Sequence, residues 1–240
     1  MALPKIDVPT YELTLPTSGE TLNLRPFNVK EEKLLLIALE SKDQNEIVNT
    51  VKQVVNNCVV SGKFDVNKSP FFEVDFIFIF LRAKSIGEKV AVKLTCNNVV
   101  EDNKCGNIFA AELDVSNCEL INDTPVSDDI KLGGDKGVKM KYPGYGVMKR
   151  VDGGLDIDRA VNKVVSSIDF IYDKDGIYHA KEHSREELVD FVMGLTEENF
   201  RKLEEFTDNF PTFAVRVAAT CNKCGFEHNV RYTNFADFFL

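Results

Sequence analysis

Tryptophan is missing from all 240 residues, and 18 phenylalanines supply most of the large aromatic volume. A core built on phenylalanine is therefore expected. Positive charge is also short: 29 Lys and Arg face 38 Asp and Glu, a formal net charge of -9. That balance disfavours nucleic acid as the main partner, because duplex binding depends on neutralising phosphates with Lys and Arg. Long apolar runs are lacking too. The most hydrophobic stretch, Phe71 to Leu81, is broken by Glu73 and Asp75 and is too short to span a bilayer, so membrane insertion is not expected. The opening Met-Ala-Leu-Pro-Lys has none of the apolar length of a secretory signal. A cytoplasm is the expected compartment, and there 6 cysteines point to metal or buried thiols before disulfides.

What is present reads as an α+β chain. Tyr11 to Leu15 and Leu22 to Pro26 alternate around Ser18-Gly19, which predicts an opening hairpin. Val29 to Glu40 and Asn45 to Val60 carry apolar residues at helical spacing. Phe71 to Lys84 fits a buried strand or a buried helix, and its length favours the helix. Lys89 to Thr95 and Ile108 to Val115 form a second hairpin. Ile130 to Leu132 and Val138 to Tyr142 flank Gly133-Gly134-Asp135 as a third, expected to project from the core. Asp158 to Ile168 returns to helical spacing. Asp173 to Gly176 is a turn. Ser184-Arg-Glu-Glu187 has the capping-box pattern of a helix that Gly194 stops. Thr196 to Phe206 is the next helix, and Phe213 to Thr220 and Phe226 to Tyr232 are strands. The expected organisation is one compact domain over 1–240, with a β-rich insertion at about 122–156.

The sharpest chemical signal is Cys221-Asn-Lys-Cys224-Gly225, two thiolates two residues apart with glycine after the second, between strands. Such a knuckle aims both sulfurs at one ion. Cys96 and Cys105, also between strands and followed by Gly106, would supply the other half of a zinc-ribbon-like site. Eight residues lie between that pair, which implies a looser loop. Cys96, Cys105, Cys221 and Cys224 are therefore the candidate ligands of a structural zinc ion, a closed tetrahedral shell without an open position. Unmetallated thiols and a redox Cys-x-x-Cys are the alternatives, and no thioredoxin-like βαβ context supports the second. His228 would compete as fourth ligand if Cys96 or Cys105 failed. Cys58 lies on an apolar helical face and reads as core. Cys118 has no evident partner.

Other patterns carry less. His179-Ala-Lys-Glu182-His183 matches H-x-x-E-H, but the segment follows a turn and precedes a helix cap, so the two imidazoles are not expected one helical turn apart. Asp173-x-Asp175-Gly176 starts like a calcium loop and then presents Ser184 where a bidentate Glu belongs. Gly133 to Gly137 lacks phosphate-loop spacing and reads as a hairpin tip. The basic stretch Lys136 to Arg150 could meet an acidic partner, or be a solvated charged ribbon. No nucleophile, base and orienter set is evident, so no enzyme is expected.

Three stretches resemble a known family. They are Leu3 to Pro9 with Tyr11-Glu-Leu-Thr-Leu-Pro16; Leu24-Arg-Pro-Phe-Asn-Val-Lys-Glu-Glu-Lys-Leu-Leu-Leu36; and Glu187 to Phe191 through Leu195-Thr-Glu-Glu-Asn-Phe-Arg-Lys-Leu203, Phe210-Pro, the Cys221/Cys224 knuckle and Asp237-Phe-Phe. Together the chain resembles the baseplate hub subunit and hub-assembly family of T-even-like contractile-tailed bacteriophages. The resemblance implies a late structural or assembly protein of the virion tail baseplate, assembled in the host cytoplasm, whose partners are other hub or tail proteins. It brings no catalytic residues. Oligomerisation is open. A transient chaperone for a hub or tape-measure protein, absent from the mature virion, is the first alternative. A zinc hydrolase using His179, Glu182 and His183 is a distant one. The closing segment, with Phe235, Phe238 and Phe239, would dock into a neighbour or onto the protein's own core.

Overall fold

A computed structural model describes residues 7–122, 125–148 and 156–233. The chain is α+β, with helices packed on several small antiparallel sheets around three adjoining cores. The first core uses the expected opening hairpin, β1 (Tyr11–Thr14) and β2 (Thr21–Leu24), paired from Tyr11↔Leu24 to Thr14↔Thr21. Helices α1 (Val29–Ser41) and α2 (Gln44–Cys58) follow, and β3 (Val59–Ser61) returns to β2. Helix α1 begins at Asn28, whose side chain accepts from the amides of Lys30 and Glu31 while Glu31 reaches back to the Asn28 amide. This reciprocal cap satisfies amides that the helix itself cannot. Leu22, Leu24, Val54, Val55 and Cys58 are fully buried here, so Cys58 is core as expected.

Phe71–Ser85 is a helix, α3. It was ambiguous because it is buried on two sides. Val74, Ile77, Phe78 and Leu81, at helical spacing, fill the first core, and Phe72, Ile79 and Ala83 on the opposite side fill the second. A helix apolar all round is a central one. Each fully buried Phe, Ile or Leu contributes about 2 kcal/mol by removal from water.

The second core lies between two hairpins. β4 (Lys89–Thr95) pairs with β7 (Ile108–Asp114) in register from Lys89↔Asp114 to Thr95↔Ile108. The small strands β5 (Val99–Val100) and β6 (Asn103–Lys104) lie between them in sequence. β8 (Cys118–Ile121) and β14 (Glu227–Tyr232) flank β13 (Thr212–Thr220) in a three-stranded sheet. Phe109, Leu113, Val215 and Val217 pack between the two sheets. Cys118 sits on β8 opposite Val215 and is a free thiol that burial pushes up to about 12.

The third core corrects one expectation. β9 (Asp129–Gly133) and β10 (Lys136–Met140) do not project. β10 pairs with β11 (Ile168–Tyr172), and β12 (Ile177–His179) completes the order β12-β11-β10-β9. Ile130, Val138 and Met140 are buried against α5 (Asp156–Ser167), α6 (Arg185–Met193) and α7 (Glu197–Asp208). The helix expected to reach Ile168 stops at Ser167, because Ile168 already pairs with Met140. Gly137, read as hairpin tip, is a packing position: a Cβ there would collide with the ring and hydroxyl of Tyr172 on β11. A short helix, α4 (Tyr145–Met148), joins the cores and buries Tyr145 in the first.

The three cores meet at aromatic rings, as the phenylalanine count implied. Phe72 stands edge-on to Tyr142 with centroids 5.0 Å apart, and Tyr142 stacks on Phe206 at 5.6 Å. Phe210 contacts Phe71, Tyr142 and Phe206 at 5.7, 5.9 and 5.6 Å. The closing segment with Phe235, Phe238 and Phe239 lies outside the described residues.

Candidate metal centre

The second core ends in four cysteines. Cys96 follows β4, Cys105 follows β6, Cys221 follows β13 and Cys224 precedes β14. Their sulfurs all lie within 4.8 Å of one another; Cys96 and Cys224 are 3.5 Å apart, Cys105 and Cys221 3.9 Å. Four sulfurs around a tetrahedral ion at about 2.3 Å would stand about 3.8 Å apart, so the two closest pairs already have the spacing of such a site and the donor set suits that ion. A complete thiolate shell would leave no position for a reacting water, and an ion held there would clamp the β4–β7 hairpin to the β13–β14 hairpin.

Both halves share one backbone design. In the second, the Cys221 amide donates to Phe226 O at 2.9 Å and the Gly225 amide to Cys221 O at 2.9 Å. In the first, the Cys96 amide donates to Asn107 O at 2.8 Å and the Gly106 amide to Cys96 O at 3.1 Å. Gly106 and Gly225 have φ of 60° and 73°, the left-handed turn that lets the chain fold back beneath the second sulfur. Cys96-Asn97-Asn98 corresponds to Cys221-Asn222-Lys223, and Cys105-Gly106 to Cys224-Gly225. The residues between, 99–104, form the β5–β6 hairpin, turning at Glu101 and Asp102 with φ of 48° and 64°. The wide spacing is thus a knuckle with a hairpin inserted, and not a loose loop. Repeated Cys-Asn at positions 96 and 221, with Cys-Gly closing each half, was the sequence signal for this.

Donors surround the sulfurs. The Asn98 side chain donates to Cys224 Sγ at 3.6 Å, and that of Asn107 to Cys221 Sγ at 3.5 Å and to Asn222 Oδ1 at 2.6 Å. These two asparagines were missed in the sequence, where only ligand residue types stood out. Such N–H groups stabilise sulfur that carries negative charge. Burial raises the Cys221 thiol, but the amides of Cys224 and Lys223 with Asn107 outweigh it and bring it down to about 6. The amide of Phe226 lowers Cys224, whereas burial pushes Cys96 up to about 12. Contact among the sulfurs adds to the asymmetry: Cys96 keeps its proton beside Cys224, Cys221 and Cys105, while Cys221 and Cys224 have N–H donors of their own. His228 Nε2 lies 3.3 Å from Cys96 Sγ, buried between Phe109 and Phe226. It touches one sulfur from outside the group of four.

The remaining candidates stay apart. Among the described residues, no metal-capable group contains His179, Glu182 or His183. His179 ends β12 against Phe170, and His183 lies 3.8 Å from Glu187 beyond a single 3-10 turn. Asp173 uses its carboxylate on the amides of Asp175 and Gly176, at 2.8 and 3.1 Å, as a turn residue. In the basic stretch, Lys139 and Lys141 pair locally with Asp128 and Asp169 at 2.7 and 3.2 Å. The capping box at Ser184 and Glu187 is present.

No curated protein and no solved structure matches this chain. A family model described as T4 bacteriophage base plate protein matches residues 8–240. That span takes in the resembling stretches from Val8 onward, both cysteine pairs and all three cores, and the chain belongs to the T4 bacteriophage base plate protein family.

Proposed function

We propose that this baseplate protein is a structural, non-catalytic subunit of the tail hub, and that Cys96, Cys105, Cys221 and Cys224 hold a structural zinc ion in it. A place in the virion tail follows from the family, and among the described residues no helix is long and apolar enough to cross a membrane. The observation that carries the reading of the cysteines is the convergence of the four sulfurs, from positions 116 to 128 residues apart, into one closed shell. A site of that kind organises surfaces and performs no reaction. Its partners would be other hub and tail proteins, met during assembly in the host cytoplasm. The three cores would act as one domain, and the insertion expected at about 122–156 would supply β9 and β10 to the third sheet.

Quantitative mass spectrometry of purified mature virions, beside their hub subassemblies, tests the role. The chain is expected in both at a fixed ratio to other hub proteins. Presence in subassemblies with absence from virions would make it an assembly chaperone instead. Elemental analysis of the isolated protein is expected to give one zinc per chain; iron, or no metal at full solubility, would overturn the zinc assignment.

A further inference from the structure

Where the first and third cores adjoin beside α4, a cavity of about 510 Å³ opens among Lys52, Asn67, Gly146, Asn162, Ser166 and Arg185. Its lining is polar and cationic. The chain carries a net charge of -9, and cations elsewhere, such as Arg25, Lys84, Lys89, Lys163 and Arg216, have carboxylate partners. This cavity holds two cations and, among the described lining residues, no carboxylate. Lys52 comes from α2, and its Nζ is 3.3 Å from where a Cβ on Gly146 would stand, so the missing side chain leaves room for the ammonium at the cavity wall. Arg185, at the start of α6, donates to Asn162 Oδ1 on α5, an amide that orients the guanidinium without neutralising it. One turn along α5, Ser166 Oγ is buried without a hydrogen-bond partner among the described residues. A buried hydroxyl left unsatisfied beside two cations without a carboxylate partner, all among the described residues, marks a place suited to an acceptor-rich group.

We propose that this cavity is a docking site for carboxylate side chains on an acidic segment of a partner protein. The charge pattern selects the occupant. Two cations from separate helices, with neutral amides between them, match one or two carboxylates. The chain's net charge of -9 acts over the long range against a nucleic acid or another extended polyanion, and less against one or two carboxylates that reach the two cations. The volume exceeds that of a lone carboxylate and accommodates side chains together with their backbone. That the carboxylates belong to a protein rests on the reading of the chain as an assembly subunit; peptide titration tests the cavity itself, and virion mass spectrometry tests that reading separately.

The experiment uses the full chain, labelled for NMR, titrated with the capped tetrapeptide acetyl-Gly-Glu-Glu-Gly-amide, its Gln-Gln analogue, and a short DNA single strand. Expected are saturable shifts of the Lys52 and Arg185 side-chain signals with the Glu-Glu peptide and none with the Gln-Gln peptide. Lys52→Gln and Arg185→Gln should each weaken the Glu-Glu peptide about tenfold, the loss of one charge-assisted hydrogen bond. Both variants replace side chains outside the packed cores, and an unchanged amide spectrum away from the cavity checks that they fold. Binding to the wild type that persists unchanged in both variants, equal binding of the Gln-Gln peptide, or tighter binding of the DNA would each overturn the proposal. Failure of the peptide to shift either side chain would do so as well.

Discussion

Replacing Cys221 by Ser removes one of four sulfurs and leaves the two hairpins otherwise intact, so it separates what the ion contributes from what apolar packing contributes. Cys105 and Cys221 are 116 residues apart in sequence and 3.9 Å apart in space. A cross-link closing a loop of that length restricts the unfolded chain strongly, and for a protein of this size the expected loss on cutting it is a fall in Tm of roughly 10–20 °C. The fall should be local in origin. Amides at 94–109 and 219–228 should lose protection from hydrogen exchange well before those of α2 and α3, whose core is built on Val54, Ile77, Phe78 and Leu81. Chelator treatment of the wild type should lower Tm by a similar amount, because the free energy of binding at such a site is folding free energy. It should do nothing further to Cys221→Ser. The assay is a thermal melt followed by circular dichroism, with zinc measured on the same samples. A variant that melts within about 2 °C of wild type, or that keeps one zinc per chain, would refute the four-sulfur clamp.

Three further perturbations probe the rest of the fold. Arg25→Gln should cost about 2 kcal/mol at pH 7 in urea denaturation, a value discounted from buried-pair losses because Arg25 is partly exposed. Burial alone would raise the Glu31 pKa, but the two-pronged Arg25 contact at 2.7 and 2.9 Å and the Asn28 amide hold it below its ordinary 4.5. A depressed folded value means that the contribution is present above 4.5 and lost as pH falls through the folded pKa, so the gap between wild type and variant should close in strong acid; a gap that widens there would contradict the assignment. Gly137→Val should cost about 2 kcal/mol, because Tyr172 must leave its place over β10 and with it the 2.6 Å bond to Asp129, and equal stability would show that the ring moves freely. Phe72→Ala should cost about 4 kcal/mol and Phe72→Leu much less, and a loss below about 1 kcal/mol for the alanine variant would mean that the aromatic junction does not couple the cores.

Local pattern carried much of this architecture. Alternation around Ser18-Gly19, the helical spacing of Ile47, Val51, Val54 and Val55, and the cap at Ser184 each depend on neighbours within a few residues, and each has its place in the structure. What escaped was non-local. β10 finds its partner, β11, only after α5 has intervened, so the segment near 130–140 looked like a ribbon without a sheet. β11 and β12 were passed over because the Asp173–Gly176 turn between them was read without its arms. β8 is four residues long and earns its strand geometry from Phe213, Ala214 and Val215 on β13. At the candidate metal centre the ligand residue types and their strand context were visible, because thiolate pairs followed by glycine are a local signature. The donors Asn98 and Asn107 were not, since an asparagine in a loop looks the same whether it faces water or a sulfur.

The position of the four cysteines explains why this part of the molecule would need an ion when the first core does not. Helix α3 feeds directly into β4 and covers the near end of the second core, where Phe72, Phe76 and Phe213 meet. The sulfurs stand at the other end, beyond Thr95 and Thr220. Seven residues of β4 carry the chain about 20 Å from the helix. Over that distance the β4–β7 hairpin has two strands only, and its outward positions Lys89, Ala91, Lys93 and Thr95 face solvent. A two-stranded ribbon is marginal by itself in water. Packing of Phe109 and Leu113 on Val215 and Val217 holds its middle, while its tip, carrying the exposed Val99, Val100 and Ile108, would fray unless something fixed it to the neighbouring sheet. An ion shared by both hairpins would do that at the point where apolar burial runs out. The tip would then be held as a rigid surface facing outward, which is what a subunit that must fit against others in a tail requires.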